Sequence, residues 1–203
     1  MKKKNLSVVF TFAIFVTFLA IFLTGCLSDP SNIKLDSEYG SEIKKMELSA
    51  SWAIAYSDIK ALTNASDFIG LVEIGDIVSV DAIYSGNEDE SESSNLYTTT
   101  YSARVISAIL SEEKTIGIIM TGKRDNDGTV EILDDPLMSK GETCFIFARL
   151  NDNGYYTILS GPNGRFSYNE ANNTITSFSN SPLCLQEVAL SDVEGEIRLY
   201  LDK

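Results

Sequence analysis

The sequence predicts a mainly β protein, a small antiparallel barrel with short helices at its flanks. Three observations lead there. Runs of strand-forming residues recur between residues 46 and 178, separated by short polar turns. Helical periodicity occurs only near the two ends of the folded part. No internal repeat or composition break marks a second domain, and 203 residues with 44% hydrophobic content suffice for one proper core. Closure into a barrel also removes the exposed edges that strands this long would leave.

Each element has its own signal. Met46, Leu48, Ala50, Trp52, Ile54 and Tyr56 alternate with small or polar residues, and period 2 predicts a strand. The alanines leave a helix as the alternative. Ser57-Asp58 is a helix start, with Ile59 and Leu62 on one face and Asn64 near the end. Asp67 to Tyr84 is the strongest β signal, and Gly75-Asp76 inside it predicts a bulge or sharp bend. Gly86 to Asn95 is a polar acidic loop. Leu96 to Leu110 is a second long strand, with Tyr97, Thr99, Tyr101, Ala103 and Val105 on one face.

Shorter strands follow at Ile116–Met120 and Val130–Leu133, before Asp134-Asp135-Pro136 breaks the run. Thr143–Leu150 and Tyr155–Leu159 form a hairpin around Asn151-Asp152-Asn153-Gly154, because Asn and Gly accept the positive φ such a turn needs. Gly161-Pro162-Asn163-Gly164 turns the chain again. Arg165–Tyr168 and Thr174–Phe178 pair around Asn169–Asn173. Ser191-Asp192-Val193-Glu194 fits a capping box, and Val193, Ile197 and Tyr200 or Leu201 then give a helical apolar face. Gly195 weakens that helix by up to about 1 kcal/mol relative to alanine.

The start of the chain reads as an address. Lys2, Lys3 and Lys4 form a basic segment, Leu6 to Leu23 run 18 residues without a charge, and Thr24-Gly25 stands directly before Cys26. These residues resemble the signal peptide and lipobox of a prokaryotic lipoprotein. The resemblance implies cleavage before Cys26 and a diacylglyceryl group on its sulfur, whose two acyl chains meet the requirement for stable anchoring. The alternative is an uncleaved membrane anchor. Either way the positive-inside rule places the rest of the chain outside the cell membrane, on its outer face. The expected organisation is a signal peptide over 1–25, a lipidated cysteine and flexible tether over 26–45, and one barrel domain over 46–203.

Charge and composition exclude several functions. All 29 acidic residues follow Cys26, against thirteen of the 16 basic ones, so the exported part carries a net −16. That argues against nucleic acid, which needs a basic patch to displace counterions. The chain has no histidine, which removes the commonest general base and zinc ligand, so no Ser-His-Asp or Cys-His site can be built from it. With Cys26 assigned to lipid, Cys144 and Cys184 are left as a pair able to form a disulfide outside the cell; the alternative is two free thiols.

Other candidate sites are weaker than their structural alternatives. Glu88, Asp89, Glu90 and Glu92 offer oxygens to calcium, but at no EF-hand spacing. Asp125-Asn126-Asp127-Gly128 resembles half such a loop, with Lys123 at the first ligand position. Asp134 and Asp135 are sequence neighbours at a turn, a poor geometry for paired acid–base work. Gly161 to Gly164 lacks the Lys-Ser/Thr of a phosphate loop. Tyr97, Tyr101, Tyr155 and Tyr156, with Phe166 and Tyr168, are the candidate ligand face, although cross-strand packing explains most of them.

Three stretches carry a further resemblance: Asp67-Phe68-Ile69-Gly70-Leu71-Val72 after a short helix; Tyr101-Ser102-Ala103-Arg104-Val105 leading to Ile109-Leu110; and Gly141-Glu142 before Phe145-Ile146-Phe147, followed by Gly164-Arg165-Phe166. Between Ser57 and Phe178 the chain resembles secreted lipoproteins of Gram-positive bacteria whose domain is similar to an OB-fold or netrin-like barrel. The resemblance implies an OB-like β-barrel. Netrin-like inhibitors reach a metal through a free N-terminal cysteine amine, and this chain departs from them because Cys26 would be lipidated. The expected function is a non-enzymatic binding module, without cofactor or metal, for an extracellular protein, peptide or envelope polymer. The alternatives are an inhibitor or immunity-type module against an extracellular enzyme, and a glycan or small-molecule binder.

Overall fold

The computed structural model describes residues 45–48, 56–83, 96–125, 128–178 and 183–202. The expected signal peptide, Cys26, the expected tether up to residue 44, residues 49–55 of the first expected strand and the expected acidic loop at 86–95 lie outside the described residues.

Among the described residues ten strands and two helices form in the order β1 (Lys45–Leu48), α1 (Ile59–Ala65), β2 (Phe68–Ile83), β3 (Leu96–Leu110), β4 (Thr115–Asp125), β5 (Gly128–Ile132), β6 (Thr143–Leu150), β7 (Tyr156–Ile158), β8 (Arg165–Asn169), β9 (Thr174–Ser177), β10 (Val188–Ala189) and α2 (Leu190–Leu201). A single turn of 3-10 helix, Gly161–Gly164, separates β7 from β8. The protein is mainly β, as the strand patterns predict.

Five strands close on themselves. β2, β3 and β4 form an antiparallel meander, β6 pairs antiparallel with the other edge of β2, and β7 pairs antiparallel with β6. The circuit closes where β7 runs parallel to β4, Ile118 opposite Tyr156 and Ile119 opposite Thr157. The order β2-β3-β4-β7-β6 makes a closed five-stranded barrel with extra strands, compatible with an OB-like barrel. β1 adds a second parallel pairing, on β5.

β7 and β8 both use the same edge of β6. β7 lies opposite Ala148–Leu150 and β8 opposite Cys144–Ile146. The 3-10 turn between them lets β7 lean toward β4 and close the barrel while β8 continues outward to β9 and β10. Alternation along β2 and β6 therefore builds two cores. Phe68, Val72, Ile74, Cys144, Ile146 and Ala148 point into the barrel with Tyr101, Ile118 and Tyr156. Ile69, Leu71, Phe145 and Phe147 point the other way, onto α1, α2 and the outer strands. Phe147 stands edge-on to both Phe145 and Phe166, at centroid distances of 5.5 and 6.0 Å, within the range where aromatic pairs add to simple burial.

Local chemistry matches the sequence at most boundaries. Asp58 caps α1, its Oδ1 accepting from the Ala61 amide at 2.8 Å, and Ile59 and Leu62 are buried. The β2–β3 register shifts between Ile74 and Ile77, so Gly75-Asp76 is the expected bulge. At the β6–β7 hairpin Gly154 has φ +81 and its amide reaches Asn151 O at 3.0 Å.

Two expectations need correction. The capping box at Ser191 is not formed: α2 begins at Leu190 after Ala189, which makes no side-chain cap, so Ser191 already lies inside the first turn. The Leu190 amide instead bonds to Asn173 O at 3.0 Å, so pairing with the β8–β9 turn starts the helix. β4 also runs beyond Met120 to Asp125, because its far half pairs with β5 after its near half has paired with β3.

Gly70 sits where β2 is pressed between β3 and β6. A Cβ built there would overlap the backbone oxygen of Ser107 and approach Ala108 Cα at 3.0 Å, neither of which can rotate away. Gly70→Ala is expected to destabilise the protein by about 1–3 kcal/mol, the range for overpacking, read as a lower urea midpoint at unchanged slope.

Candidate functional site

The most unusual group in the structure is Arg165, the first residue of β8. Its register opposite Ile146 and its alternation with Phe166 direct it to the barrel side, where an aliphatic residue would be expected. It is 1% exposed. Its Nη2 donates to Asp135 Oδ1 at 3.0 Å and to Pro136 O at 2.8 Å. Nη1 lies 3.8 Å from Met120 Sδ, and the guanidinium stands 4.5 Å from the centroid of the Phe178 ring, a cation–π geometry. Nε is buried without a hydrogen-bond partner among the described residues, and so is Asn163 Oδ1 two residues earlier.

Asp135 arrives from the segment that joins β5 to β6. That segment crosses the end of the barrel and seats Leu137 and Met138 in its interior. Burial pushes the Asp135 carboxyl above its ordinary 3.8, with Arg165 pulling the other way. Glu131 is buried nearby, accepts from the Leu137 amide at 3.4 Å and lies 3.6 Å from Arg124. The end of the barrel thus holds charge of both signs in a mostly apolar interior.

A cleft of about 180 Å³ opens onto this end, between β4 and the Gly161 turn. Thr98, Thr121, Thr157, Ile119 and Asp135 line it, with the core residue Ile158 behind them. The Thr98 hydroxyl is bonded to Asp81 O at 3.5 Å and the Thr157 hydroxyl to Asn151 Nδ2 at 2.8 Å. At its rim Ser160 is held in the left-handed region, φ 53 and ψ 33, a conformation costing a non-glycine residue roughly 1–3 kcal/mol.

The tyrosines do not form one face. Tyr101 and Tyr156 are barrel core, 2% and 4% exposed, on either side of Ile118 in the β3-β4-β7 register. Burial raises the Tyr101 phenol to about 12; Tyr156 is raised by burial and by its hydroxyl's 3.1 Å bond to Glu113. Tyr155 points outward and packs over Gly117. Tyr97 is half-buried at the start of β3, with Lys123 4.5 Å above its ring. Phe166 and Tyr168 belong to the outer core. The period-2 signal finds strands, but it does not tell which tyrosines turn inward.

Cys144 and Cys184 are both free thiols. Cys144 is on β6, β8 and β9 lie beside it in turn, and the chain at Leu185 bonds to Ser177 beyond β9. Three strand spacings, roughly 14 Å, separate the two cysteines, about twice the Cα reach of a disulfide. The expected pair is therefore not made. Asp134 is exposed and Asp135 buried, so the adjacent carboxylates face different surroundings. No group of three or more metal-ligating side chains occurs among the described residues.

Sequence reading missed the Arg165–Asp135 pair. Both residues lay in noted stretches, but their partnership spans a sequence separation of 30 and depends on the jog between β7 and β8. No family model matches the chain, and neither a curated protein nor a solved structure matches it.

Burial raises the Cys144 thiol to about 12 and denies reagents access. Of these two cysteines, a thiol reagent applied to the folded protein is expected to label Cys184 and spare Cys144. In denaturant without reductant it labels both. Peptide mass mapping reads the result, and a requirement for reductant would restore the disulfide.

Proposed function

We propose that this chain is a lipid-anchored binding module on the outer face of a cell membrane, holding a protein partner and catalysing nothing. The observation that carries the reading is the edge of β2. Its first half, Phe68–Glu73, has β3 on one side and β6 on the other. Past the bulges, Ser79–Ile83 pairs with β3 alone among the described strands. Val80 and Ile83 stay exposed there, with Ile77 and Val78 just before them. Backbone donors and acceptors along such an edge accept an extended segment as an added strand, while alternate side chains set its specificity.

Charge narrows the partner. Asp81 is exposed along this stretch, Asp76 just before it is paired with Lys140 at 2.5 Å, and the exported part carries a net −16, so the segment that fits is basic and extended. The lipobox supports the address: Cys26, the only cysteine near the start of the chain, stands directly after Thr24-Gly25. The absence of histidine supports a non-catalytic role.

Two experiments test this. A photo-reactive residue at Ile83, in living cells, is expected to give a discrete cross-linked protein that Val80→Lys diminishes several-fold and that Lys60 on α1 does not give. No adduct above the Lys60 control would remove the docking edge. Cys26→Ser is expected to abolish incorporation of an alkyne-labelled palmitate and to shift the chain out of the lipidated membrane fraction. Undiminished labelling would place the anchor elsewhere.

A further inference from the structure

We propose that the barrel-end cleft is a binding site for a neutral, hydroxyl-rich ring, a single sugar unit. The volume sets the size. At about 180 Å³ the cleft lies below the roughly 300 Å³ at which drug-sized ligand pockets begin, so it admits one small ring rather than a stretch of polymer.

The lining sets the chemistry. Thr121 offers a hydroxyl that donates and accepts. The Thr98 hydroxyl, which donates to Asp81 O at 3.5 Å, still accepts, and the Thr157 hydroxyl, which accepts from Asn151 Nδ2 at 2.8 Å, still donates. The Asp135 carboxylate keeps an oxygen beyond the one that Arg165 holds. Ile119, which shares a face with Thr157 rather than with the core residue Ile158, supplies the apolar surface that a sugar's C–H face packs against. Anions are disfavoured, because no basic residue lines the cleft and the exported chain is strongly negative. Amines and metal ions are disfavoured because the Arg165 guanidinium, 3.0 Å behind Asp135, already balances its charge, and no other carboxylate lines the cleft. What remains is a neutral donor of hydroxyl hydrogen bonds to a held carboxylate.

The site is also built rather than incidental. Arg165 fixes Asp135 from a position 1% exposed, leaving its own Nε and the nearby Asn163 Oδ1 as buried polar atoms without partners among the described residues. Ser160 is strained at the rim. Unmet buried polar groups and backbone strain at one corner of a fold are retained against a stability cost, and they concentrate at functional sites.

The test is calorimetric titration of the full chain, in a detergent without a sugar headgroup. The probes are glucose, galactose and N-acetylglucosamine, with inorganic phosphate and methylammonium beside them. At least one sugar is expected to bind while phosphate and methylammonium do not. Thr121→Val should weaken that binding about three- to tenfold, the range for one hydrogen bond. Ile119→Trp, which fills the cleft, should abolish it, with the melting temperature of both variants unchanged. Methyl glycosides of the sugar that binds separate two sources: retained binding points to the end of an envelope glycan, lost binding to the free sugar. The proposal fails if no sugar binds, if phosphate or methylammonium binds instead, or if sugar binding survives both substitutions. Although Thr98 of the cleft pairs with Asp81 of the β2 edge, the substituted residues Thr121 and Ile119 are both on β4, so these outcomes are read apart from the cross-linking at Ile83 and Val80.

Discussion

The ion pair between Arg165 and Asp135 is the interaction on which the closed end of this barrel depends. Arg165 belongs to β8, and Asp135 to the segment linking β5 to β6; the two parts of the chain meet through this contact and the Pro136 carbonyl beside it. Because the segment also carries Leu137 and Met138 into the core, the guanidinium holds the plug that fills the barrel's end. An arginine 1% exposed is tolerable only when paired, since an isolated buried charge costs several kcal/mol. The pair is thus better seen as a device of specificity than of stability: it fixes which segment lies across the opening and where the Asp135 carboxylate stands.

That constraint acts where closure is thinnest. β7 has three residues, and only two of them meet β4. The Gly161–Gly164 turn brings the chain from this short contact directly to Arg165. Closure, plug and cleft are consequences of one local arrangement. Away from it, β2 and β6 serve as walls between two cores, and β2 outruns its partner β6 to leave an edge. One long strand therefore stabilises the fold at one end and leaves an exposed edge at the other.

Much of the fold was legible in the sequence, for identifiable reasons. The ends of β3 and β6 fall where strand residues give way to polar turns, and Gly75-Asp76 marks its bulge because an extra residue there breaks the two-residue alternation. Asp58 announces α1 through its capping side chain. Contacts set by long-range register were not legible. Tyr101 and Tyr155 look alike in sequence, yet one lines the barrel and the other faces outward. Cys144 and Cys184 are both compatible with a disulfide until β8 and β9 are placed between them. Ser191 carries a capping signature that Asn173, across the outer sheet, overrides. The buried arginine had no local signal at all, because its partner lies on a different element.

The most direct test of this account is a double-mutant cycle on Arg165→Met and Asp135→Leu, read by urea unfolding. If the pair holds the plug, each single substitution strands a buried group and costs about 3–5 kcal/mol, while the double variant recovers most of that loss and is more stable than either single. Independent, additive losses would contradict the account. They would show that Arg165 and Asp135 contribute separately, and that the barrel's end is held by its apolar packing alone.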